Sequence, residues 1–213
     1  MVAGFAQGAP NSTLMAFARS ERARYRRARA IDLGCGAGRN AVPLAIAGWD
    51  VLGVDNSWPM LEAAAARRAP RLAGRLDLAV AEMDALPAGD DSADLIVAHG
   101  IWNLAASGAQ FRRAVREAAR VARRGAALFV FTFSRHTLPA EARPVEEDAL
   151  VFTQFSGQPQ CFLTARELSD ELGAAGFASD SSVPLTELNR PPAGAARMGG
   201  PPVIHEGAFR YIS

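Results

Sequence analysis

Three glycines at alternate positions follow an acid in the run Asp32-Leu33-Gly34-Cys35-Gly36-Ala37-Gly38. Glycine is needed where a backbone turns sharply or comes close to a ligand. A carboxylate just ahead of the first glycine could hold a cationic amino group and would repel a phosphate. The spacing also speaks against two common phosphate binders. A dinucleotide fingerprint, Gly-x-Gly-x-x-Gly, would need a glycine where Arg39 stands. A P-loop needs Lys, and all 23 basic residues of this chain are arginines. The same absence excludes a lysine nucleophile or Schiff base.

The flanking residues read as a strand, a turn and a helix. Ala28 to Leu33 is a short apolar run, and Asn40 to Ala47 has helical character closed by Gly48. Asp32 therefore stands at the C-terminal edge of a strand, where open α/β sheets bind their ligands. Further apolar runs follow at Val51 to Val54, Leu76 to Val80, Asp94 to Ala98 and Ala127 to Phe133. Helices are expected from Ser57-Trp58-Pro59 to about Arg68 and over Phe111 to Ala122. An N-terminal helix starts at Pro10-Asn11-Ser12. Strands alternating with helices imply a parallel sheet, and unbroken apolar runs imply strands covered on both faces. The last third predicts a capped helix over Thr164 to Ala175, a strand over Phe177 to Leu188, and a final strand over Val203 to Ile212. The Pro- and Gly-rich stretch Asn189 to Pro202 reads as a long surface loop.

Length and composition suit one well-covered domain, with 213 residues, 49% hydrophobic and 21% charged. A formal charge of +1 gives no general attraction to nucleic acid or to a membrane surface, and neither is expected as a partner. The six arginines from Arg19 to Arg29 read as a solvated helix face, since Phe17, Ala18 and Tyr25 interleave with them. Two cysteines, Cys35 and Cys161, form neither a disulfide framework nor a zinc motif, and no metal is expected. No signal peptide or apolar span is visible, so a cytoplasmic location is expected. These properties leave the oligomeric state open.

At Asp32 to Asn40 the chain resembles the first motif of the class I S-adenosylmethionine-dependent methyltransferases. The resemblance continues in order through Val54-Asp55-Asn56-Ser57, Glu82-Met83-Asp84-Ala85-Leu86-Pro87 and Ala93-Asp94-Leu95-Ile96-Val97, covering roughly residues 28 to 135. It implies a Rossmann-like open seven-strand sheet, mostly parallel, with helices on both faces and an antiparallel last strand beside strand five. One methyltransferase domain is implied: residues 1–27 as a helical lid, 28–135 as the cofactor-binding core and 136–213 as the substrate side.

The resemblance also assigns roles. Asp32 and the Gly34-Cys35-Gly36 backbone would hold the methionine end of S-adenosylmethionine, with Asn40 beside them. Asp55 would accept hydrogen bonds from both ribose hydroxyls, and Asn56 would border the adenine. Glu82, with the Met83 backbone, would meet the adenine edge; Asp84 is the neighbour that could be mistaken for it. His99, just past strand four, would lie near the sulfonium as a cofactor contact or as the catalytic base. The other readings of these residues are plainer: Asp55 as a helix cap, Glu82 as a loop acid, Cys35 and Met83 as packing, and His136 and His205 as surface or structural residues.

Methyl transfer from a sulfonium is an in-line displacement that mainly needs alignment and exclusion of water. A base is needed only where the acceptor must lose a proton. The acceptor is expected to be a small organic molecule, its methylated atom O, N, C or S. Phe5, Leu14, Phe17, the Gly100-Ile101-Trp102-Asn103 loop, Phe152 to Phe162 and Asn189 to Pro202 would shape its site. Gly100-Ile101-Trp102-Asn103-Leu104 resembles the quinone-biosynthesis methyltransferases, whereas Gly38-Arg39-Asn40 with Gly48-Trp49 is similar to the tellurite-resistance and thiol methyltransferases. A non-catalytic cofactor-binding regulatory module and a nucleotide-dependent oxidoreductase are the alternatives; the intact acids argue against the first and the glycine spacing against the second.

Overall fold

The computed structural model describes residues 8–68, 72, 75–191 and 200–213. Phe5 and most of the 189–202 loop lie outside the described residues. In chain order the elements begin with α1 (Ser12–Arg22), β1 (Arg29–Leu33), α2 (Ala41–Ile46), β2 (Asp50–Asp55), α3 (Trp58–Ala66) and β3 (Leu76–Val80). They continue with β4 (Ala93–His99), α4 (Gly108–Val121), β5 (Ala122–Phe133), a hairpin of β6 (Val151–Phe152) and β7 (Gln160–Cys161), and α5 (Ala165–Ala174). The chain closes with β8 (Phe177–Ser179), β9 (Thr186–Leu188) and β10 (Ile204–Tyr211).

The main sheet runs β3-β2-β1-β4-β5-β10-β8, with β9 also paired to β10. Strands β1 to β5 pair in parallel, and β10 lies antiparallel beside β5. The expected Rossmann-like, mostly parallel sheet with an antiparallel last strand is therefore present. Among the described residues its strand count is eight rather than seven, because the strand expected over Phe177 to Leu188 is broken. β8 pairs with the Phe209–Tyr211 end of β10 and β9 with its Ile204–Glu206 end. Between them the Asp180 carboxylate accepts the Ser182 N–H at 2.9 Å, a turn that bends the chain, and Pro184 has no N–H to give to a ladder.

β5 starts at Ala122, five residues before the expected Ala127, because α4 runs directly into it. Arg123 is tied there by a 2.8 Å ion pair to buried Asp94, beside a register irregularity between β4 and β5. Side chains cap the N-termini of α1, α4 and α5. Asn11 Oδ1 accepts the Leu14 N–H at 2.8 Å, Ser107 Oγ accepts the Gln110 N–H at 3.1 Å, and Thr164 and Glu167 form a reciprocal capping box.

α1 buries Leu14 and Phe17 against one sheet face, where the Phe17 and Phe129 rings sit 6.2 Å apart. The opposite face is covered by α4 and α5, which bury Phe111, Val115, Leu168 and Leu172. In the Arg19 to Arg29 cluster, Arg19, Arg24, Arg26, Arg27 and Arg29 are exposed as expected, whereas Arg22 bonds the Gly48 and Tyr25 carbonyls at 2.8 and 2.7 Å. Among the described residues, no helix is long and apolar enough to cross a membrane.

Candidate cofactor and acceptor site

The turn after β1 is held by its own backbone and by β2. Gly34, Gly36 and Gly38 all adopt left-handed φ, at 63°, 52° and 75°. At Gly34 a side chain is barred twice, by that φ and by Ile101, whose Cδ1 would lie 2.7 Å from an added Cβ. The Cys35 N–H bonds the Val54 carbonyl at 2.9 Å, docking the turn on β2.

Asp55, at the end of β2, secures the same turn. Its Oδ2 accepts the Gly36 N–H at 2.9 Å and its Oδ1 the Ser57 N–H at 2.8 Å. Asp55 is thus a backbone brace as well as a candidate ribose partner, since each carboxylate oxygen can accept a second hydrogen bond. Ser57, expected to cap α3, stands at the N-cap position but makes no side-chain cap bond; its N–H goes to Asp55.

Asp32 is the least solvated acid of this region, with 2% of its surface exposed. Its Oδ2 is buried without a hydrogen-bond partner. Burial pushes the carboxyl up to about 7, opposed by the Ala41 amide and reinforced by the Asp55 charge. An orphaned buried carboxylate oxygen fits an ammonium group and does not fit a phosphate. Burial likewise pushes the Cys35 thiol up, so Cys35 is no nucleophile at neutral pH.

A cavity of about 420 Å³ opens above these residues, lined by Asp32, Gly34, Asp55, Met60, His99 and Phe131 among others. A smaller space of about 120 Å³ adjoins it, lined by Val54, Asn56, Glu82, Met83, Ile101 and Gln110 among others. Gly34, Asp55, Asn56, Ile101 and Leu104 border both, so the two form one elongated site. Asn56 Nδ2 lies 3.3 Å from Glu82 Oε2 at the narrow end. Asp84 points away, into a 2.9 Å ion pair with Arg113.

The 100–103 loop, expected to shape the acceptor site, lies over the cavity that His99 and Phe131 also line. Ile101 and Leu104 line it, while Trp102 is wholly buried and meets the Phe111 ring edge-on at 5.9 Å. His136 and His205 lie away from the cavity. His136 pairs with Glu187 at 2.8 Å, and wholly buried His205 bonds the Leu163 carbonyl through Nε2 at 2.9 Å.

His99 stacks on Phe131, with ring centroids 4.1 Å apart and planes 7° from parallel. Burial, then the nearby Arg39 charge, pushes its pKa down to about 4, so the ring is neutral at pH 7. It does not keep the near-neutral value that suits a general base. Its tautomer follows from Asn11, whose Oδ1 is committed to the Leu14 N–H, leaving Nδ2 as the donor. Nδ2 donates to Glu206 at 2.7 Å and stands 3.4 Å from His99 Nε2, which therefore carries the lone pair.

Asn40, 5% exposed, uses its Oδ1 to accept the Asn11 N–H at 3.1 Å, and Arg39 donates to the Ala9 carbonyl at 2.6 Å. The start of α1 is thereby clipped to the glycine turn. Sequence reasoning missed Phe131 and Gln110, which line the cavities, and Asn11 and Glu206, which adjoin His99. Glu206 carried a usable signal, because it is the one acid in the run Val203 to Phe209, which apart from His205 is otherwise apolar.

The architecture defines the class: an open sheet with a glycine turn after β1 and acids at the ends of β1 and β2 is the Rossmann-like methyltransferase fold. Residues 30–125 match the methyltransferase domain family. Demethylmenaquinone methyltransferase from Mycolicibacterium paratuberculosis is 28% identical over 187 residues, 77% of this chain and 76% of that protein. The enzyme of that name from Mycobacterium tuberculosis is 29% identical over 165 residues, covering 70% of this chain and 66% of the relative. An S-adenosylmethionine-dependent methyltransferase from Methanosarcina mazei superposes with a TM-score of 0.70 at 21% identity, over 88% of this chain and 94% of that one. A 1,6-didemethyltoxoflavin-N1-methyltransferase from Burkholderia thailandensis, solved with 1,6-didemethyltoxoflavin and S-adenosylhomocysteine bound, superposes at 0.67 with 18% identity, over 95% and 79%. Residues 30–125 thus match a methyltransferase domain, and the sheet around them has the fold of the S-adenosylmethionine-dependent methyltransferases.

Proposed function

We propose that this enzyme methylates a small organic acceptor bound beside His99 and Phe131, under a lid to which residues 8–27 contribute. The observation that carries this reading is the elongated cavity, with an orphaned carboxylate, Asp32, at its wide end and an aromatic wall beyond it. S-adenosylmethionine supplies an activated methyl group on a sulfonium.

The chain's residues hold and orient. Asp32 and the amides of Gly34, Cys35 and Gly36 take the amino-acid end, with Asn40 supporting the turn. Asp55 takes the ribose hydroxyls, and Asn56, Glu82 and the Met83 backbone border the adenine. His99 is a neutral contact beside the sulfonium, fixed by its stack on Phe131. Residues 28–135 form the cofactor-binding core and residues 136–213 the acceptor side. The relatives named for demethylmenaquinone and the structural neighbour that binds a toxoflavin precursor support a flat, ring-bearing acceptor. A net charge of +1 supports the absence of a nucleic-acid partner, and the lack of disulfides fits a cytoplasmic site of action.

The test is calorimetric titration of the purified protein with S-adenosylhomocysteine, followed by a turnover screen with a panel of small aromatic acceptors. One-site binding with S-adenosylhomocysteine formed on at least one acceptor is expected. Absence of binding would refute the cofactor assignments, and binding without turnover on any ring-bearing acceptor would refute the acceptor reading.

A further inference from the structure

Four buried acids separate into two kinds. Glu21 is paired with Arg210 at 2.7 Å and Asp94 with Arg123 at 2.8 Å. Asp32 and Glu206 have no ion pair among the described residues, although they are 2% and 6% exposed. A carboxylate taken from water without a cation is costly to keep. Asp32 is explained by the ammonium group it would hold. Nothing in the fold explains Glu206 in the same way.

Its place in the sheet points to the acceptor. Glu206 faces Phe131 across the β10–β5 pair, and Phe131 faces His99 across β5–β4. Paired residues put their side chains on one face of a sheet, so His99, Phe131 and Glu206 share the face that carries Asp32, which is paired with Val97 two residues before His99. All four stand at the same end of the sheet. Asn11 spans the outer pair, 2.7 Å from Glu206 Oε2 and 3.4 Å from His99 Nε2. Among the described residues the Glu206 carboxylate receives no other hydrogen bond, so Oε1 has unused acceptor capacity. Farther along the same face Phe133 contacts Phe155 at 5.2 Å and Phe162 at 5.8 Å, extending the aromatic wall of Phe131.

We propose that Glu206 is the acceptor-recognition group, receiving a hydrogen bond from a hydroxyl or N–H carried on a flat aromatic acceptor, and that it takes this proton during transfer. The proposal rests on the donor-site reading above and deepens it. In the step, a lone pair of the acceptor forms the new bond to the methyl carbon. The carbon–sulfur bond breaks with its electrons remaining on sulfur, and the acceptor proton passes to Glu206 and then to water. His99 is less free to take the proton, since its Nε2 lone pair faces the Asn11 amide. An acceptor stripped of its donor hydrogen would leave the carboxylate unpaired, and a site built around a hydrogen bond rejects such analogues strongly.

The test uses the full-length protein saturated with S-adenosylhomocysteine, so that only the acceptor side is open. 2-Naphthol is titrated by its fluorescence, and 2-methoxynaphthalene, which lacks the hydroxyl hydrogen, by competition. The wild type is expected to prefer 2-naphthol at least tenfold; Glu206→Gln should lose that preference while keeping wild-type S-adenosylhomocysteine affinity. Asn11→Ala, which leaves the carboxylate in place, should retain the preference. Equal binding of both probes by the wild type, binding of neither, or an unchanged preference in E206Q would overturn the proposal. So would equal weakening of both probes and S-adenosylhomocysteine in E206Q, which would make Glu206 a seat for the lid. Failure of the wild type to bind S-adenosylhomocysteine at all would instead overturn the donor-site reading, and this proposal with it.

Discussion

Replacing Asp32 with Asn removes a charge from a place that water scarcely reaches, and its effects on folding and on cofactor binding have opposite signs. Burial raises this carboxyl from 3.8 to about 7. Because the folded-state value exceeds the unfolded one, the proton favours the folded state. The resulting penalty is absent below about pH 3.8 and complete above about pH 7. At about 1.36 kcal/mol per pH unit, it reaches at most about 4 kcal/mol. For a chain of this length that corresponds to a rise of up to about 10 °C in the Tm of Asp32→Asn at pH 8 without cofactor. At pH 4 the two proteins should melt together.

Binding should run the other way. Loss of a charge-assisted hydrogen bond costs about 1.5–3 kcal/mol, so S-adenosylhomocysteine affinity should fall about 10- to 150-fold at pH 8. Wild-type affinity should weaken as pH falls through 7, because Asp32 must give up its proton before it can hold the ammonium group; Asp32→Asn should lack that slope. Differential scanning calorimetry and isothermal titration at pH 4 to 8.5 read both effects. An Asp32→Asn protein that is less stable at pH 8, or that binds as well as wild type, would refute the reasoning.

Asp55→Ala removes the acceptor of the Gly36 and Ser57 amides together with the proposed ribose contact. S-adenosylhomocysteine affinity should drop at least 100-fold and stability by about 1–3 kcal/mol, read by titration and urea melts. Gly34→Ala must place a Cβ against Ile101 at a φ of 63°; a loss of about 1–3 kcal/mol together with weakened binding is expected. His99→Ala should lower turnover or cofactor affinity through loss of the Phe131 stack. Because the His99 pKa is about 4, the wild-type pH–rate profile between pH 5.5 and 8 should show no inflection from it. An imidazole-dependent inflection near 6.5, absent in H99A, would contradict that assignment.

The parallel core was legible because its strands are apolar on both faces and its glycine turn has a spacing few ligands tolerate. Strand β3 was expected at Leu76 to Val80 and lies there. The last third was harder, because its strands are defined by partners rather than by local pattern. Phe177 to Leu188 looks continuous in sequence, and only its two separate docking points on β10 reveal the break. Likewise β5 extends back through Arg123 and Arg124, where an ion pair to Asp94 outweighs local polarity. Within the site, Asp32 and Asp55 could be located from motif spacing. Asn11 and Glu206, 195 positions apart, are brought together only by the packing of α1 on β10, a relation that no local window contains.

The most direct measurement is a crystal structure of the protein with S-adenosylhomocysteine. Its α-ammonium is expected against Asp32 Oδ2, its ribose hydroxyls on Asp55, its adenine beside Asn56, Glu82 and Met83, and its sulfur facing His99. A ligand bound elsewhere, or bound with its adenine at Asp32, would contradict the assignment of this site.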